Sequence, residues 1–600
     1  MAAISHISEL PGSFPALDSV SAFEATEALD VARSVAPAII EILSNPTETA
    51  INQLFLPDAF WRDQVSLSWS LRTFHPTTAI AQGVVPLLKR ADIDASSISL
   101  LEEQVLPVDL PNGISLVRIP FTFRTRTPAA DANAVFKVVR VKTGEIKVLT
   151  VTTALQAIDA APWLAGFPPA AVSYERPQSM PSAVDVLVVG GGHGGLSVSA
   201  YLKALGLNFA TVEKQATIGD SWAKRYDSAT LHTIRLFSGL PFVPFPEDYP
   251  QFVPAKLVAA YYNMYARDLQ LPVFTSRECT QAVFDDETQL WTVTIEGPNG
   301  VERVKARSLI FSVGVGGRRP VLPDVPGRES FAGEWMHSAS YTDASSWAGK
   351  RVAVVGASTT ACDVSHDASR AGAEVTMIQR SATRIYPQSH IAGMQEIFWN
   401  KENSTELADI ISTEDPVVLQ AALSQLVLGR FRDAHDPAFY DNLRKAGFLM
   451  KVDGPVHQPR QQVYVQSGGH YPDIGACAAI SNGEIKVKSG TAVVEVTSSG
   501  LVFADGSKLD VDVIVYCTGF EKDMRRSISD IVQKDLASGL EPVWGLDAEG
   551  EVRGVWRPTG HDKLWVHGGE LQTMRYYGRF LALQAAAELA GVRPVPARRS

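Results

Sequence analysis

An apolar run that leads directly into a glycine-rich turn constrains this chain more than any other feature. The run reads DVLVV and the turn reads GGGHGG. The run predicts a parallel strand buried on both faces, and the residues after the turn predict a helix. Gly190 allows a tight turn, Gly192 lets the backbone approach a phosphate, and Gly195 lets helix and strand pack closely. With His193 and Gly194 these residues predict a dinucleotide-binding βαβ unit.

A carboxylate stands where the second strand of that unit is expected to end. The segment NFATVEK follows the predicted helix and places Glu213 and then Lys214 at the strand end. A carboxylate there accepts hydrogen bonds from the ribose hydroxyls of an adenosine. The combination of strand, turn, helix and acidic strand end indicates a nucleotide site far more strongly than the glycines alone. Both residues are therefore predicted to contact the cofactor.

A second turn of the same kind follows the buried run VAVV. It carries Gly356, Ser358 and Ala361 at the three key positions, with Thr359 and Thr360 between the last two. Small residues still allow a close approach of the backbone to a phosphate. Gly356, Ser358, Thr359 and Thr360 are predicted to contact a second dinucleotide.

The second turn differs from the first in the residue that ends its next strand. The segment EVTMIQR ends at Arg380, and Ser381 follows. A cation at this place meets a 2′-phosphate, which favours NADPH over NADH. Two dinucleotide sites with different ribose contacts indicate that FAD stays bound while NADPH delivers a hydride to it. The alternative is that Arg380 is a solvated surface charge.

The length, net charge, cysteine pattern and apolar runs of the chain argue against several classes of protein. The chain has 600 residues, which is too long for one core, and a net charge of -11, which argues against nucleic acid as a partner. Its four cysteines form no C-x-x-C pair, so neither a local dithiol nor a metal site is predicted. No apolar run approaches the roughly 20 residues that cross a bilayer, and the N-terminus is a poor signal peptide. We expect a cytoplasmic protein without a membrane partner.

The residues before the first turn predict a separate module. Residues 1–160 show helical patterning followed by alternating strands, which indicates an α+β domain, and the proline-rich residues 161–183 predict a linker. The module resembles the cone-shaped nuclear-transport-factor-2-like (NTF2-like) or SnoaL-like fold. Cone domains often pair, so a homodimer is one expectation. A buried Arg–Asp pair that stabilises the cone is predicted here, and the alternative is that Trp61, Arg62, Asp63 and Arg72 line the cone.

Four further segments resemble signatures of the flavin-containing monooxygenase family. FAGEWMHSASY, at 331–341, matches the FxGxxxHxxx(Y/F) fingerprint through Gly333 and His337, with Thr342 where the family has Lys or Arg. GDSWAKRYDSATLHT resembles the GxxW segment, and FPEDYP and YCTGF match two others. The resemblance covers roughly residues 185–590.

The resemblance implies an α/β fold of two Rossmann-like domains, with the NADPH domain inserted into the FAD domain. We expect the FAD domain at 184–329 and 519–600 and the NADPH domain at 330–518. A helical insertion is expected at 386–480, where it would shape a substrate pocket. His470 is a candidate for the lining of that pocket, a structural turn being the alternative.

The resemblance also implies site residues. His337 would orient NADPH and couple the two domains, and a purely structural hinge histidine is the alternative. His232 matches the position beside the flavin C4a, where classical members carry Asn, and an imidazole there could donate a hydrogen bond to a peroxide or to a substrate carbonyl. The remaining predicted cofactor contacts are Gly219, Ser221, Trp222, Thr233, Val283, Gly314, Gly519 and Gln572.

The implied activity is that of an FAD- and NADPH-dependent monooxygenase. It would transfer one oxygen atom from O2 to a small organic molecule, by N- or S-oxygenation in secondary metabolism, through a C4a-(hydro)peroxyflavin. The alternative is Baeyer–Villiger or decarboxylating oxygenation of a carbonyl substrate. Two rival interpretations are a flavin disulfide reductase, which the missing C-x-x-C disfavours, and a partner-binding protein with a decayed flavin half, which the intact first turn disfavours.

Overall fold

The computed structural model describes residues 7–110, 112–167, 179–314, 319–433, 437–451, 463–465 and 468–596. Residues 168–178 of the predicted linker lie outside this described part. The described chain contains an N-terminal module and two parallel sheets that follow it.

An eight-stranded sheet with helices on one face forms the N-terminal module. Its strands are β1 (Val20–Ser21), β2 (Phe55–Gln64), β3 (Leu71–Phe74), β4 (Ser99–Leu100), β5 (Leu106–Asp109), β6 (Ser115–Arg126), β7 (Ala129–Val141) and β8 (Ile146–Ile158). Its helices are α1 (Ala28–Ser44), α2 (Glu48–Leu54) and α3 (Thr77–Ala91). The strand order is β3-β2-β8-β7-β6-β4, and Val117, Ile119 and Phe121 of β6 pack with α1 and α3. The assignment of this α+β module to the NTF2-like fold stays a prediction.

The second face of this sheet is buried as well, although its residues are polar. Arg62 of β2 forms an ion pair with Glu551 at 2.7 Å, and Arg72 of β3 pairs with Glu549 at 2.7 Å. The predicted buried Arg–Asp pair is therefore wrong, since both arginines pair with glutamates. Asp63 instead accepts hydrogen bonds from its own turn, among them the Ser68 amide at 2.7 Å. The cations of this face point away from the module because they meet carboxylates supplied by the rest of the chain.

A seven-stranded sheet contains the first glycine turn. Its first strands and helices are β9 (Ala183–Val189), α4 (His193–Ala204), β10 (Phe209–Val212), α5 (Asp220–Ala223), α6 (Arg235–Ser238), α7 (Ala255–Asp268), β11 (Val273–Phe274), β12 (Glu278–Asp285), β13 (Leu290–Gly297) and β14 (Gly300–Phe311). Strands β11, β10, β9 and β14 run parallel, and β12 and β13 extend the sheet as an antiparallel pair. The four apolar side chains of the strand DVLVV are buried as predicted, Asp185 is partly exposed, and α4 packs against the strand.

A five-stranded parallel sheet contains the second turn. The elements of this region are β15 (Glu334–His337), β16 (Arg351–Val355), α8 (Thr359–Arg370), β17 (Glu374–Gln379), β18 (Arg384–Pro387), α9 (Gln388–Glu396), α10 (Thr405–Thr413), α11 (Val417–Asp433), α12 (Pro437–Lys445), β19 (His470–Asp473), α13 (Ala476–Ser481), β20 (Ile485–Ser489), β21 (Val493–Val496), β22 (Gly500–Phe503), β23 (Lys508–Asp510) and β24 (Val513–Tyr516). The order is β15-β24-β16-β17-β20. Helices α9 to α12 fall within the predicted helical insertion.

The C-terminal residues return to the first sheet. They form α14 (Arg525–Ser529), α15 (Lys534–Gly539), β25 (Leu564–Val566) and α16 (Leu571–Leu589). Strand β25 pairs parallel with β14, and α16 packs against α4 beside the first glycine turn. The chain thus enters the first sheet, leaves it for the second, and comes back. The domain boundaries proposed from the sequence stay predictions.

Candidate active site

The glycines of the first turn each solve a separate steric problem. Gly190 has φ +106°, and a Cβ there would overlap the carbonyl oxygen of Ser312. A Cβ on Gly195 would overlap the carbonyl oxygen of Gly190, so α4 could not pack onto β9. A Cβ on Gly192 would meet nothing within 4 Å, because this residue faces an open cavity at the N-terminus of α4. The turn therefore has the shape that a pyrophosphate needs.

A cavity of about 690 Å³, here called the flavin cavity, begins at this turn. The predicted residues that line it are Gly190, Gly192, His193, Gly194, Glu213, Lys214, Ser221, Trp222 and Gly314. Glu213 ends β10, where its carboxylate accepts hydrogen bonds from the amides of Gly191 and Gln215, both at 2.8 Å. These bonds fix the carboxylate at the place where ribose hydroxyls would donate to it.

Two buried histidines, His193 and His567, line the flavin cavity. The ring nitrogens of His193 bond to the Tyr262 hydroxyl at 2.8 Å and to the Leu571 carbonyl at 2.9 Å, which ties the turn to the start of α16. His567 follows β25, lines the cavity, and neither of its ring nitrogens has a hydrogen-bond partner. Burial lowers the pKa of each to about 3, so both rings are neutral. An orphaned buried imidazole at a cavity wall fits a polar ring such as that of a flavin.

His567 was missed by sequence reasoning, although a signal was available. It comes directly after the apolar strand β25, and side chains at the carboxyl ends of parallel strands gather at one edge of the sheet. That edge is the one that carries the first glycine turn. The partner of β25, strand β14, lies some 250 residues earlier in the chain, so the pairing could not be read from local pattern.

Some of the predicted contacts do not line the flavin cavity, among them Gly195, Gly219, Gln572 and Val283. Gly195 packs inside the turn, and Gly219, at φ +86°, lies against the backbone of Ala259. Gln572 is buried and donates to the Asp409 carboxylate at 3.1 Å. Val283 is 38% exposed and pairs with Thr292, while residues 278–280 of the same strand line the cavity. Val283 therefore lies on a strand that reaches the flavin cavity, but Val283 itself does not line it.

In the second turn, the Ser358 hydroxyl makes a hydrogen bond at the position where the first turn has Gly192, which faces an open cavity. Gly356 has φ +136°, and a Cβ there would lie 2.5 Å from the Cys517 carbonyl oxygen. Ser358 donates from its hydroxyl to the His470 carbonyl at 2.9 Å, and Thr359 donates to the same oxygen at 2.8 Å. The serine replaces a glycine because its hydroxyl anchors β19 to the turn. Thr360 is exposed on the first turn of α8.

Arg380 and Ser381 lie exposed at the end of β17, beside this second turn. No ion pair holds Arg380 among the described residues. An exposed guanidinium without a carboxylate partner keeps its donors available for a phosphate.

His337 ends β15, and its ring bonds to backbone groups next to that strand and next to the neighbouring strand β24. The Ala339 amide donates to its Nδ1 at 3.1 Å, so Nε2 carries the proton and donates to the Gly519 carbonyl at 3.1 Å. Burial lowers the pKa of His337, so the ring is neutral. Gly333, four residues earlier, has no room for a Cβ beside the Asp512 carbonyl. Both ring nitrogens are bonded to backbone groups, and the role predicted for His337 stays a prediction.

His232 lies between a carboxylate and a carbonyl oxygen. Its Nδ1 is 2.9 Å from the Pro472 carbonyl, and its Nε2 is 3.3 Å from the Asp363 carboxylate. Both partners only accept, so both nitrogens must carry protons. Burial alone would lower the pKa of His232, but the hydrogen bond and charge of Asp363 raise it above the ordinary value. These contacts stabilise the protonated form of His232, and both ring nitrogens already have protein partners.

A second cavity of about 250 Å³, here called the substrate cavity, lies beside His232. Thr233, Thr359 of the second turn and Glu570 at the start of α16 also line it, as does His470. Its walls are largely apolar side chains from α6 and the helical insertion: Phe237, Ile391, Met394, Phe398 and Trp399. Leu571 lines the flavin cavity and its neighbour Glu570 lines the substrate cavity, so both cavities reach the start of α16.

Comparison with known proteins gives the family. A family model described as pyridine nucleotide-disulphide oxidoreductase matches residues 187–403. The indole-3-pyruvate monooxygenase YUCCA1 of Oryza sativa subsp. japonica is 30% identical over 371 residues, which span 61% of this chain and 82% of that protein. The chain belongs to the flavin-containing monooxygenase family. As a member, it is a monooxygenase that uses FAD and NADPH, and the flavin cavity and the second turn are suited to these two dinucleotides.

Further proteins are similar to this flavin-containing monooxygenase. The indole-3-pyruvate monooxygenase YUCCA8 of Oryza sativa subsp. indica is 27% identical over 427 residues, which span 68% of this chain and 90% of that protein. A flavin-containing monooxygenase from Stenotrophomonas maltophilia is similar in structure, with 20% identity, a TM-score of 0.46, and coverage of 68% of this chain and 99% of that one. A cyclohexanone monooxygenase from Rhodococcus sp. Phi1 bound to NADP+ has 19% identity, a TM-score of 0.49, and coverage of 68% and 85%.

The cysteines of this flavin-containing monooxygenase do not support disulfide chemistry. Cys279, Cys362 and Cys477 are buried, Cys517 is partly buried, and all four are free thiols. Burial raises the pKa of Cys279 and of Cys517 to about 12 and raises the others further, so none is a ready nucleophile. In the described part of the chain, no helix combines the length and the apolar character that a bilayer crossing requires.

The charged state of His232 gives a pH-dependent prediction. A histidine whose pKa is raised on folding stabilises the fold below its unfolded pKa of about 6.5, and this contribution is lost as the pH rises through the folded value. Replacing Asp363 by Asn removes the negative charge that raises the pKa of His232. We expect the melting temperature to fall more at pH 6 than at pH 9. Asp227→Asn, on an exposed carboxylate that pairs with Lys256, is the control. An equal loss at both pH values for Asp363→Asn would show that His232 is neutral.

Proposed function

We propose that this enzyme oxygenates a small carbonyl compound with an apolar group, held in the substrate cavity. The observation that carries the proposal is the position of that cavity. It lies between the start of α16, where the flavin cavity ends, and Thr359 of the second turn. A molecule there would be close to both dinucleotides. Bound FAD supplies hydride acceptance from NADPH and the activation of O2.

The walls of the substrate cavity define the expected ligand. Phe398, Trp399 and Met394 offer an apolar surface that excludes water from the reacting atoms. The imidazolium of His232 adds one positive charge at the wall, held there by Asp363. A fixed charge beside a carbonyl carbon stabilises the negative oxygen that forms when a nucleophile adds to it. His232 would act through this charge and not by losing a proton.

The relatives support a carbonyl substrate. The two relatives from Oryza sativa reported above are named for indole-3-pyruvate, a 2-oxo acid with an aromatic group. We propose an aromatic or other apolar 2-oxo acid as the substrate class, with decarboxylating oxygenation as the reaction. We further propose that Arg380 and Ser381 bind the 2′-phosphate of NADPH, since both are exposed at the strand end beside the second turn.

N- or S-oxygenation is the second candidate. It needs an apolar cavity and no charge at the wall, because a neutral amine or sulfide accepts oxygen without forming an oxyanion. The aromatic side chains of the insertion meet the first requirement. The charged His232 does not contribute to it, which ranks this activity below the carbonyl reaction.

Labelled oxygen distinguishes the two activities. The FAD-loaded protein would be incubated with NADPH and 18O2 and, in separate reactions, with indole-3-pyruvate, cyclohexanone, thioanisole or N,N-dimethylaniline. We expect one 18O atom in the carboxylic acid formed from the 2-oxo acid, with a matching rise in NADPH consumption. Labelled sulfoxide or N-oxide without labelled acid would favour the second candidate. Formation of H2O2 alone with every compound would contradict both.

A further inference from the structure

A further cavity, apart from the two described above, lies where three parts of the chain meet. It measures about 620 Å³ and is here called the junction cavity. The N-terminal module contributes Gln156, the residues after it contribute Trp163, the insertion contributes Thr405, and α4 and α16 contribute Tyr201 and Arg579. No residue that lines the flavin cavity or the substrate cavity lines this one. It is therefore a separate site.

One cation in this cavity has a donor without a partner. Arg579 of α16 is only 9% exposed, and its guanidinium lies 4.9 Å from the centre of the Phe580 ring. Its Nη1 donates to Gln156 Oε1 at 3.2 Å and to Glu406 Oε1 at 3.3 Å. Its Nη2 is buried and makes no hydrogen bond. A buried guanidinium donor left unsatisfied is costly unless a ligand or water accepts from it.

The other charged groups of the cavity wall already have partners. Asp409 forms two hydrogen bonds with Arg575, both at 2.7 Å, and Asp131 pairs with Arg124 at 2.6 Å. Arg235 donates to the Pro246 carbonyl at 2.6 Å. Glu406, the carboxylate nearest to Arg579, has a side chain that is 74% exposed, so water screens its charge. Arg579 is thus the group in this wall with binding capacity for an anion.

Aromatic side chains line the same cavity as this cation. Phe242 lines the cavity, is 50% exposed, and has φ +67°, a conformation that a bulky side chain rarely adopts. Its ring packs edge-on against Tyr201 at 5.1 Å, and Trp163 packs against the same tyrosine at 6.1 Å. A strained, exposed aromatic residue at the mouth of a cavity is typical of a ligand contact.

We propose that the junction cavity binds a small flat acid, with its apolar body between Phe242 and Trp163 and its carboxylate on Arg579. A planar carboxylate matches the guanidinium fork and satisfies Nη2. Because Gln156 and Trp163 complete the wall, the site requires the N-terminal module and the residues that follow it. The module therefore has a binding role besides its structural one. This site is independent of the substrate cavity, so it stands if the proposed reaction proves wrong.

The test is calorimetric titration of the full-length, FAD-loaded protein with 2-naphthoate and with its neutral amide, 2-naphthamide. We expect the acid to bind at least tenfold more tightly than the amide. Arg579→Gln should weaken the acid at least tenfold and change the amide little. Arg526→Gln, on an exposed arginine that pairs with Glu521, is the matched control and should change neither.

A second variant keeps the test decisive if Arg579→Gln does not fold. Thr405→Trp places a large side chain in the cavity from the start of α10, a position that is partly exposed. It should abolish binding of both compounds while the bound FAD is retained. Binding of the acid that survives both substitutions lies elsewhere and overturns the proposal, as does absence of binding to the wild-type protein at millimolar concentration.

Discussion

Replacing Glu414 by Ala is expected to lower the free energy of unfolding by about 3–5 kcal/mol. Glu414 lies between α10 and α11 and reaches the polar face of the N-terminal sheet. Its carboxylate contacts Arg118 at 3.0 Å and Lys137 at 2.8 Å, and the exposed fractions of Glu414 and Arg118 side chains are 2% and 3%. Removal of the carboxylate leaves Arg118 buried without its charge partner. The same contact holds the insertion in place, so the substrate cavity should be disturbed as well.

Thermal unfolding of the FAD-loaded protein measures this effect. Glu102→Ala is the matched control, since Glu102 forms an exposed ion pair with Arg33 and should contribute less than about 1 kcal/mol. Similar shifts for both variants would contradict the expectation.

The contacts of Glu414 with Arg118 and Lys137 also make the stability of the protein depend on pH. Burial alone would raise the pKa of Glu414, but Arg118 and Lys137 lower it below the usual range. A carboxylate whose pKa is lowered on folding stabilises the protein above its unfolded pKa, about 4.3, and this contribution is lost as the pH falls through the folded value. The difference in melting temperature between wild type and Glu414→Ala should therefore shrink as the pH falls below about 4.

Replacing Gly195 by Ala is expected to abolish the binding of FAD. The added Cβ would overlap the carbonyl oxygen of Gly190, which is backbone and cannot move without displacing the whole turn. The N-terminus of α4 would then shift away from the pyrophosphate. We expect purified Gly195→Ala to be colourless, with an affinity for added FAD at least a hundredfold below that of the wild type. FAD content and titration with free FAD measure this.

Gly539→Ala is the control for the turn. Gly539 ends α15, and a Cβ there would meet nothing within 4 Å. This variant should keep its colour and its affinity for FAD. A yellow Gly195→Ala protein with wild-type affinity would show that the turn does not form the pyrophosphate site.

The parts of the site that rest on local pattern were predictable. The strand, turn and helix around Gly190 and the acidic strand end at Glu213 obey steric and electrostatic rules that act within about 25 residues. The same holds for Gly356 and the strand end at Arg380. Each of these local arrangements appears in the structure where the sequence indicated it.

The parts that rest on distant pairing were not predictable. Arg62 forms an ion pair with Glu551 and not with an aspartate of its own module, because the polar face of the N-terminal sheet meets the C-terminal part of the chain. Both ring nitrogens of His232 have protein partners because Asp363 and Pro472 approach it from two other segments. Val283 does not line the flavin cavity, although residues 278–280 of the same strand do. None of these outcomes is encoded in the spacing of nearby residues.

Anaerobic mixing of the FAD-loaded protein with NADPH tests the central claim most directly. The claim is that one chain holds FAD at the first turn and NADPH at the second, close enough for hydride transfer. Loss of the oxidised flavin absorbance after NADPH is added, with recovery of the colour when O2 is admitted, is the predicted result. A yellow protein whose absorbance NADPH leaves unchanged would contradict the claim.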